Sequence, residues 1–449
     1  MNLTIEEVAA LFDQESNDQR TISSVEFDSR LIKENSLFVP LAGTRDGHEF
    51  AQQAKDNGAI ATLWSHPTIQ PPEHIQVIHV EDTVAAFQRL ARGYKEKINP
   101  KIIGITGSNG KTTTKDMVDA VMAQSYKTYK TQGNHNNELG VPLTILHAPA
   151  DTEVLILEMG MDHAGEIEVL SLLAEPDAAA ITLIGEAHIE NLGSREGIAK
   201  AKMEIAAGLK KDGFMMVPAD ELLLAPYLPE LTQTIKTFGL AAGDVQGTIL
   251  AEAQQETTFS VEGVKYTIPV IGGYNVKNAL IAIGMGRYFA VPDAAIQAGL
   301  AGFQLTKNRT QWLTAGNGAA LLSDVYNANP TAMGLVLDSF KKIPLQGRRI
   351  AVLADMLELG PDSAEMHAGM AAHIDDTVQM VFLYGPEMKA LQNRLTDQGF
   401  AGQIYHFDKE EKTGLINALI KTLSPEDSVV LKGSNGMGLS EVVDALIGM

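Results

Sequence analysis

"KIIGITGSNGKTTTKD", residues 101–116, is the stretch whose reading decides the fold. Its apolar start reads as a buried parallel strand, and "TTKDMVDAVMAQ" (113–124) reads as a helix. Between them Gly107, Gly110, Lys111 and Thr112 form a turn in which backbone N–H groups and a helix N-terminus converge on an anion. In such a loop Lys111 suits the β- and γ-phosphates of a nucleotide, and the Thr112 hydroxyl suits Mg²⁺. Ser108, Asn109 and Thr113 complete the loop. The strict pattern has a glycine where Ile105 stands, so the match is partial.

Downstream, "EVLILEMG" (153–160) and "DAAAITLIG" (177–185) are further apolar runs separated by helical stretches, which predicts a mainly parallel sheet. "TFSVEGVKYTIPV" (258–270) alternates on both sides of Glu262-Gly263 and reads as a hairpin, an antiparallel appendage to that sheet. From about residue 313 the runs "AALLSDV", "RRIAVLADM", "MVFLYG" and "SVVLKG" alternate with helices, predicting a doubly wound α/β domain. Upstream, residues 1–98 mix short strands and helices, and "KEKINPK" is a hinge in which Pro100 disfavours a helical Asn99. The expected organisation is therefore α/β with three domains. These are a small mixed α/β unit at 1–98, a central P-loop unit at 99–312, and a C-terminal Rossmann-like unit at 313–449.

The length of 449 residues exceeds one ordinary core and agrees with that division. With 35 basic against 56 acidic residues the net charge is −21, which argues against nucleic acid or an anionic membrane as partner. The absence of cysteine excludes disulfides, thiolate metal sites and a cysteine nucleophile. "MNLTIEEVAALF" has no basic stretch ahead of its apolar residues, unlike a signal peptide, and Thr4 with Glu7 has capping-box spacing. No apolar run approaches the roughly 18 residues that span a bilayer. A cytoplasmic, monomeric protein is the expectation.

A nucleotide site also needs an acid to hold the metal. Glu158 ends an apolar strand, where open α/β sheets bind ligands and where an unpaired carboxylate is costly to bury. His188 follows another such run, although a lone histidine there is more often structural. Lys200 and Lys202 share the helix "EGIAKAKMEIAAGL"; most helix lysines are solvated, but a buried neutral amine can take up CO₂ as a carbamate suited to Mg²⁺. Asp162 and Glu166 read as acids that start a helix.

Several motifs together resemble the Mur ligases, and they cover most of the chain. They are "DSRLIKENSLFVPLAGTRDGHEFAQQAKDNGA" (28–59), the loop itself, "GNHNNELGVPLTIL" (133–146), "LEMGMDHAGEI", "AHIENLGSREGIAKAKMEI", "GGYNVKNALIAI" and "DVYNANPTAM". The resemblance implies an ATP-dependent amide-forming ligase of peptidoglycan synthesis with three domains. "GNHNNELGVPLTIL", "YNANP" and "DMLELG" look most like the member that adds D-alanyl-D-alanine to UDP-N-acetylmuramoyl-tripeptide. The alternative is the sister reaction adding lysine or diaminopimelate to the UDP-muramoyl-dipeptide. The Asp-Asn-Pro-Arg motif of its diaminopimelate version is not found.

Carried over residue by residue, the resemblance assigns Lys111 and Thr112 to the ATP phosphates and a first Mg²⁺, with Glu158 as metal ligand. His188 and a carbamylated Lys202, rather than Lys200, serve a second Mg²⁺. Asn278 is placed at the nucleotide, Arg309 at the γ-phosphate on domain closure, and Asp324 at the ribose. Tyr326, Asn327 and Asn329 face nucleotide or substrate, and Asn136 and Asn137 lie in the loop between them. Ser29, Arg30, Asp46, Gly47 and His48 match the UDP-sugar pattern. Lys111, Lys202, His188 and Arg309 would carry the chemistry. A second "GSNG" (433–436) lacks a following lysine; it is either a cradle for a carboxylate or only a tight turn. There the family often has arginine where Asn435 stands.

Overall fold

The computed structural model describes residues 1–449, which form three main sheets in chain order. The central sheet has nine strands. Lys101–Thr106 lies inside it, between Val154–Glu158 on one side and Ala178–Ile181 on the other, all parallel. Thr128–Lys130 forms one edge, and Phe214–Pro218 and Thr234–Gly239 extend the parallel part the other way. Every residue of Val154–Glu158 is buried, as continuous apolar runs require when helices cover both faces. Because strand order reverses around Lys101–Thr106, the loop after it opens at a switch point of the sheet. The antiparallel appendage is Val245–Ala253, Glu256–Val261 and Val264–Ile268. Its predicted turn is present: Glu262 and Gly263 have φ of 50° and 82°, the two left-handed residues that a tight hairpin needs.

The C-terminal sheet has six strands in the order Gln311–Thr314, Ala320–Asp324, Ser428–Lys432, Arg349–Ala354, Met380–Tyr384 and Gln403–Phe407. Only the first is antiparallel to its neighbour. The N-terminal sheet pairs Ser24–Glu26, Ser36–Phe38, Ala59–Trp64 and Gln76–His79, all parallel. Thr4 and Glu7 form their capping box on the helix Ile5–Ala10.

The helix Thr83–Ile98 joins the first sheet to the second. Asp82 caps it through Ala85 N, and it stops at Asn99 in the left-handed region (φ 46°) just before Pro100. Its buried face includes Leu90, Ala91 and Tyr94, which share one core with Val141, Leu143 and Leu170 of the central unit. The Tyr94 hydroxyl donates to Ala148 O at 2.8 Å, and the Lys95 ammonium donates to Leu173 O at 2.9 Å. No helix is long and apolar enough to cross a membrane.

Candidate active site

The loop after Lys101–Thr106 is held open by its glycines and stitched to the neighbouring strand end. Gly107 has φ 146° and Gly110 has φ 82°. A Cβ at Gly107 would collide with the Thr182 hydroxyl, and one at Gly110 would come within 2.7 Å of Asn278 Oδ1. Ser108 N donates to Leu183 O at 2.9 Å, and the Thr182 hydroxyl donates to Asn109 O. Lys111 Nζ folds back to Gly107 O at 2.8 Å. No side chain caps the helix Lys111–Met122, so its first N–H groups stay available to an anion. Burial lowers the Lys111 pKa, with Arg309 adding to the fall while Glu158 and Asp162 oppose it.

Facing the loop across one cavity are Glu158, Asp162, His188, Arg309 and Tyr326. The Glu158 side chain is 3% exposed. Its Oε1 accepts from Asn136 Nδ2 at 2.9 Å, whereas Oε2 has no hydrogen-bond partner and lies 3.7 Å from Lys115 Nζ. His188 adopts φ 62°, a left-handed conformation that is uncommon outside glycine but that histidine tolerates better than most residues. Its Nδ1 is 2.7 Å from Glu358 Oε2 and 3.3 Å from Asp162 Oδ1, neither in line for a hydrogen bond. Burial, with Lys111 and Lys202, keeps the imidazole below its ordinary pKa against Glu358 and Asp162, which favours the neutral, metal-ligating form. On the helix Arg195–Met203, Lys200 is exposed and Lys202 is 1% exposed, a difference that follows from their 200° separation around the helix. Burial, then Lys111, holds the Lys202 amine well below the usual lysine range.

No three His, Cys, Asp or Glu side chains converge tightly enough to hold a metal ion by themselves. The orphaned Oε2 of Glu158 and the Thr112 hydroxyl on the same cavity nevertheless fit Mg²⁺. That ion commonly keeps several waters and takes one or two protein oxygens beside the phosphates.

A second, much smaller cavity, of about 60 Å³, continues from the loop toward the C-terminal sheet and is bordered by Asn278, Arg309 and Asp324. Arg309 Nη2 donates to Thr112 Oγ1 at 3.1 Å, and its guanidinium stacks 3.8 Å above the Tyr326 ring. Asp324 is already engaged: Lys432 Nζ lies 2.6 Å from Oδ2 and Thr310 N donates to Oδ1 at 3.1 Å. Its remaining lone pairs can still accept from hydroxyls. Asn329 caps the helix Pro330–Lys342 through Ala332 N, and its Nδ2 donates to Asn109 Oδ1 at 2.7 Å. Glu186 accepts from both Thr331 N and Thr331 Oγ1 at 2.9 Å. The C-terminal unit is therefore in direct contact with the phosphate loop.

Other expected residues lie elsewhere. Asn137 is exposed, and its Oδ1 accepts from Gly140 N at 2.9 Å at the start of the helix Gly140–His147, while its neighbour Asn136 reaches Glu158. Ser29, Arg30, Asp46, Gly47 and His48 border neither cavity. Asp46 accepts from His48 N at 2.9 Å, His48 packs edge-on against Trp64, and Ser29 Oγ donates to Gln53 at 2.8 Å. Arg30 is exposed and paired with Asp28. The loop at 433–436 packs on the segment after Arg349–Ala354, with Ser434 Oγ accepting from Leu357 N at 2.9 Å.

Sequence reading missed four contributors. Asp162, read as a helix-starting acid, reaches back to His188 instead, because the helix begins only at Glu166. Glu358 lies inside the quoted "DMLELG", and Lys432 ends a buried strand as Glu158 does, a signal that was available. Lys115 sits one turn beyond Lys111 and carries no sequence mark of burial.

Three family models match this chain: "Mur ligase family, catalytic domain" at residues 21–95, "Mur ligase middle domain" at 105–286, and "Mur ligase, glutamate ligase domain" at 308–435. The chain belongs to the Mur ligase family. Among individual relatives, it is 41% identical over 441 residues to the UDP-N-acetylmuramoyl-tripeptide–D-alanyl-D-alanine ligase of Bacillus subtilis (strain 168), covering 96% of this chain and 94% of that one. It is 33% identical to the ligase of the same name from Escherichia coli (strain K12), covering 95% and 94%. A crystal structure of MurF from Acinetobacter baumannii superposes with a TM-score of 0.88 at 27% identity, covering 100% and 99%. The MurF ligase of Thermotoga maritima, solved in complex with ADP, gives 0.82 at 26% identity, covering 95% and 97%.

Proposed function

We propose that this protein is an ATP-dependent amide ligase of peptidoglycan precursor synthesis, joining D-alanyl-D-alanine to UDP-N-acetylmuramoyl-tripeptide and releasing ADP and phosphate. The observation that carries this reading is one cavity at the carboxyl ends of the central strands, where Lys111, Thr112, Glu158, His188 and Arg309 meet. It sits in a chain that aligns along nearly its whole length with ligases of that name.

The free N–H groups of the loop and Lys111 hold the β- and γ-phosphates, and Asn278 and Asp324 hold the nucleoside side. The terminal carboxylate of the tripeptide attacks the γ-phosphorus, ADP leaves, and an acyl phosphate remains. The free amine of D-alanyl-D-alanine then attacks the acyl carbon, and the tetrahedral intermediate collapses to amide and phosphate. The first step brings two anions together, so charge stabilisation dominates. Arg309 supplies a planar fork of donors at the transferred phosphate, kept in orientation by Tyr326. Thr112, Glu158, His188 and a carbamylated Lys202 would hold a pair of Mg²⁺ ions, which supply positive charge where the anions approach. No side chain is assigned as base for the amine.

In this scheme residues 1–98 bind the UDP-sugar through Ser29, Arg30, Asp46, Gly47 and His48, and 99–312 bind ATP. Residues 313–449 close the site with Tyr326, Asn327 and Asn329, while Asn136 lies between nucleotide and acceptor and Asn137 shapes the loop that carries it. One chain supplies every group, so a monomer suffices, and ATP with a nucleotide-linked sugar as substrates fits the cytoplasm.

The test is phosphate release from ATP and Mg²⁺ with UDP-muramoyl-tripeptide, with and without D-alanyl-D-alanine. Release and a pentapeptide product only with the dipeptide are expected. Turnover of UDP-muramoyl-dipeptide with free lysine or diaminopimelate would move the protein to the sister reaction. Hydrolysis indifferent to every acceptor would sink the ligase assignment.

A further inference from the structure

The segment joining the helix Asp293–Gly302 to the strand Gln311–Thr314 carries Arg309, and the backbone just after Arg309 calls for a cause. Asn308 and Thr310 on either side of Arg309 have φ of 65° and 48°. Asparagine tolerates that region, but it is unfavourable for a β-branched threonine. Such a conformation persists only where surrounding contacts over-determine it. Those contacts lie at both ends of the segment. Before Arg309, the Thr306 hydroxyl donates to Asp116 Oδ2 at 2.6 Å. After it, Thr310 N donates to Asp324 Oδ1 and Thr310 Oγ1 meets the Tyr274 hydroxyl, each at 3.1 Å.

Asp116 is on the phosphate-loop helix, one turn beyond Thr112 and on the same face. Its side chain is 3% exposed, and its other oxygen is taken by Lys130 at 2.9 Å. Thr306 and Arg309 thus meet Asp116 and Thr112 in register, with the joining segment laid along the helix that starts at the phosphates. The buried Asp116 carboxylate is compensated by Lys130 on one oxygen and by the Thr306 hydroxyl on the other, which ties the joining segment to this helix.

We propose that Thr306 is a positioning residue for the reaction. Its bond to Asp116 fixes the register of the joining segment on the phosphate-loop helix, and with the bonds at Thr310 it holds Arg309 where it meets the transferred phosphate. This rests on the reading of Arg309 as a ligand of that phosphate.

The test is a double-mutant cycle on the full chain with Thr306→Val, Thr306→Ser and Arg309→Ala. Valine keeps the shape and removes only the hydroxyl; serine keeps the hydroxyl. Thr306→Val is expected to lower kcat about tenfold, the effect of one charge-assisted hydrogen bond. It should weaken binding of a non-hydrolysable ATP analogue while leaving ADP affinity unchanged, and any fall in the unfolding midpoint from the lost bond to buried Asp116 should be recovered in Thr306→Ser. Thr306→Ser should restore turnover, and Thr306→Val in the Arg309→Ala background should add no further loss. The same tenfold loss in that background would show that Thr306 does not act through Arg309 and would overturn the proposal. Full activity of Thr306→Val beside a crippled Arg309→Ala would also overturn it. Wild-type turnover by Arg309→Ala would remove the role given to Arg309 itself, an outcome distinct from a failure of the register.

Discussion

Asn329 Nδ2 lies 2.7 Å from Asn109 Oδ1, so the residue that caps the helix Pro330–Lys342 is bonded directly to the phosphate loop. One side chain thus serves local helix stability and the contact between two units, and substitution can separate them. Asn329→Ala removes both, and should cost about 1 kcal/mol in denaturant unfolding through the lost cap. Asn329→Ser keeps a capping oxygen and removes the amide donor to the loop. Its unfolding midpoint should stay nearer the wild-type value than that of Asn329→Ala, while KM for ATP rises about tenfold. A serine variant with unchanged KM would show that the contact is irrelevant to nucleotide binding.

Glu158 is poised differently, with one oxygen held by Asn136 and the other unpartnered toward the cavity. Glu158→Gln keeps the shape and removes the charge. We expect turnover to fall about a hundredfold and the Mg²⁺ concentration for half-maximal rate to rise. Calorimetry should find that Mg²⁺ no longer tightens ADP binding to this variant. Chelation of Mg²⁺ should abolish wild-type turnover, and its return should restore it. Wild-type Mg²⁺ dependence in Glu158→Gln would remove this residue from the metal site.

These residues also show where legibility ends. The strand-loop-helix at 101–124, the hairpin turn at Glu262-Gly263 and the acid ending Val154–Glu158 are local patterns, and periodicity with turn chemistry suffices for them. The approach of Asp162 and Glu358 to His188 is made by three loops distant in sequence, and no spacing announces it. Lys202 is separated from Lys200 by burial, which depends on what packs against the helix. The short strands of the first unit gave no hint that they would all pair parallel.

The interface between the first and central units carries a pH dependence. His147 Nε2 lies 3.0 Å from Val25 O and 3.2 Å from Glu26 Oε1. Burial alone would lower its pKa, but Glu26 and the Val25 carbonyl outweigh it, and the net shift is upward. A histidine with a raised folded pKa contributes stability that is complete below its unfolded value, near about 6.5, and is lost as pH rises through the folded value. Wild-type stability in denaturant should therefore fall as pH rises from the unfolded value of about 6.5 through the higher folded one, and His147→Gln should remove that component of the slope. Parallel profiles for the two proteins would mean that His147 does not titrate against this contact.

Lys202 offers the sharpest test of the metal chemistry. Its amine is held well below the ordinary lysine range by burial and by Lys111, so much more of it is neutral and nucleophilic than in a solvated lysine. Neutral amine and CO₂ give a carbamate with loss of a proton, turning an uncharged group beside Lys111 and His188 into an oxygen-donor anion. A buried ammonium there would repel Mg²⁺ and Lys111 alike, whereas the carbamate attracts both. Turnover should fall in CO₂-depleted buffer and return with bicarbonate. A ¹³C carbamate resonance should appear with labelled bicarbonate and be missing in Lys202→Met, whose rate should drop at least about a hundredfold. A CO₂-insensitive rate with no labelled adduct would leave Lys202 a buried neutral amine, and His188 would then need another partner for its metal.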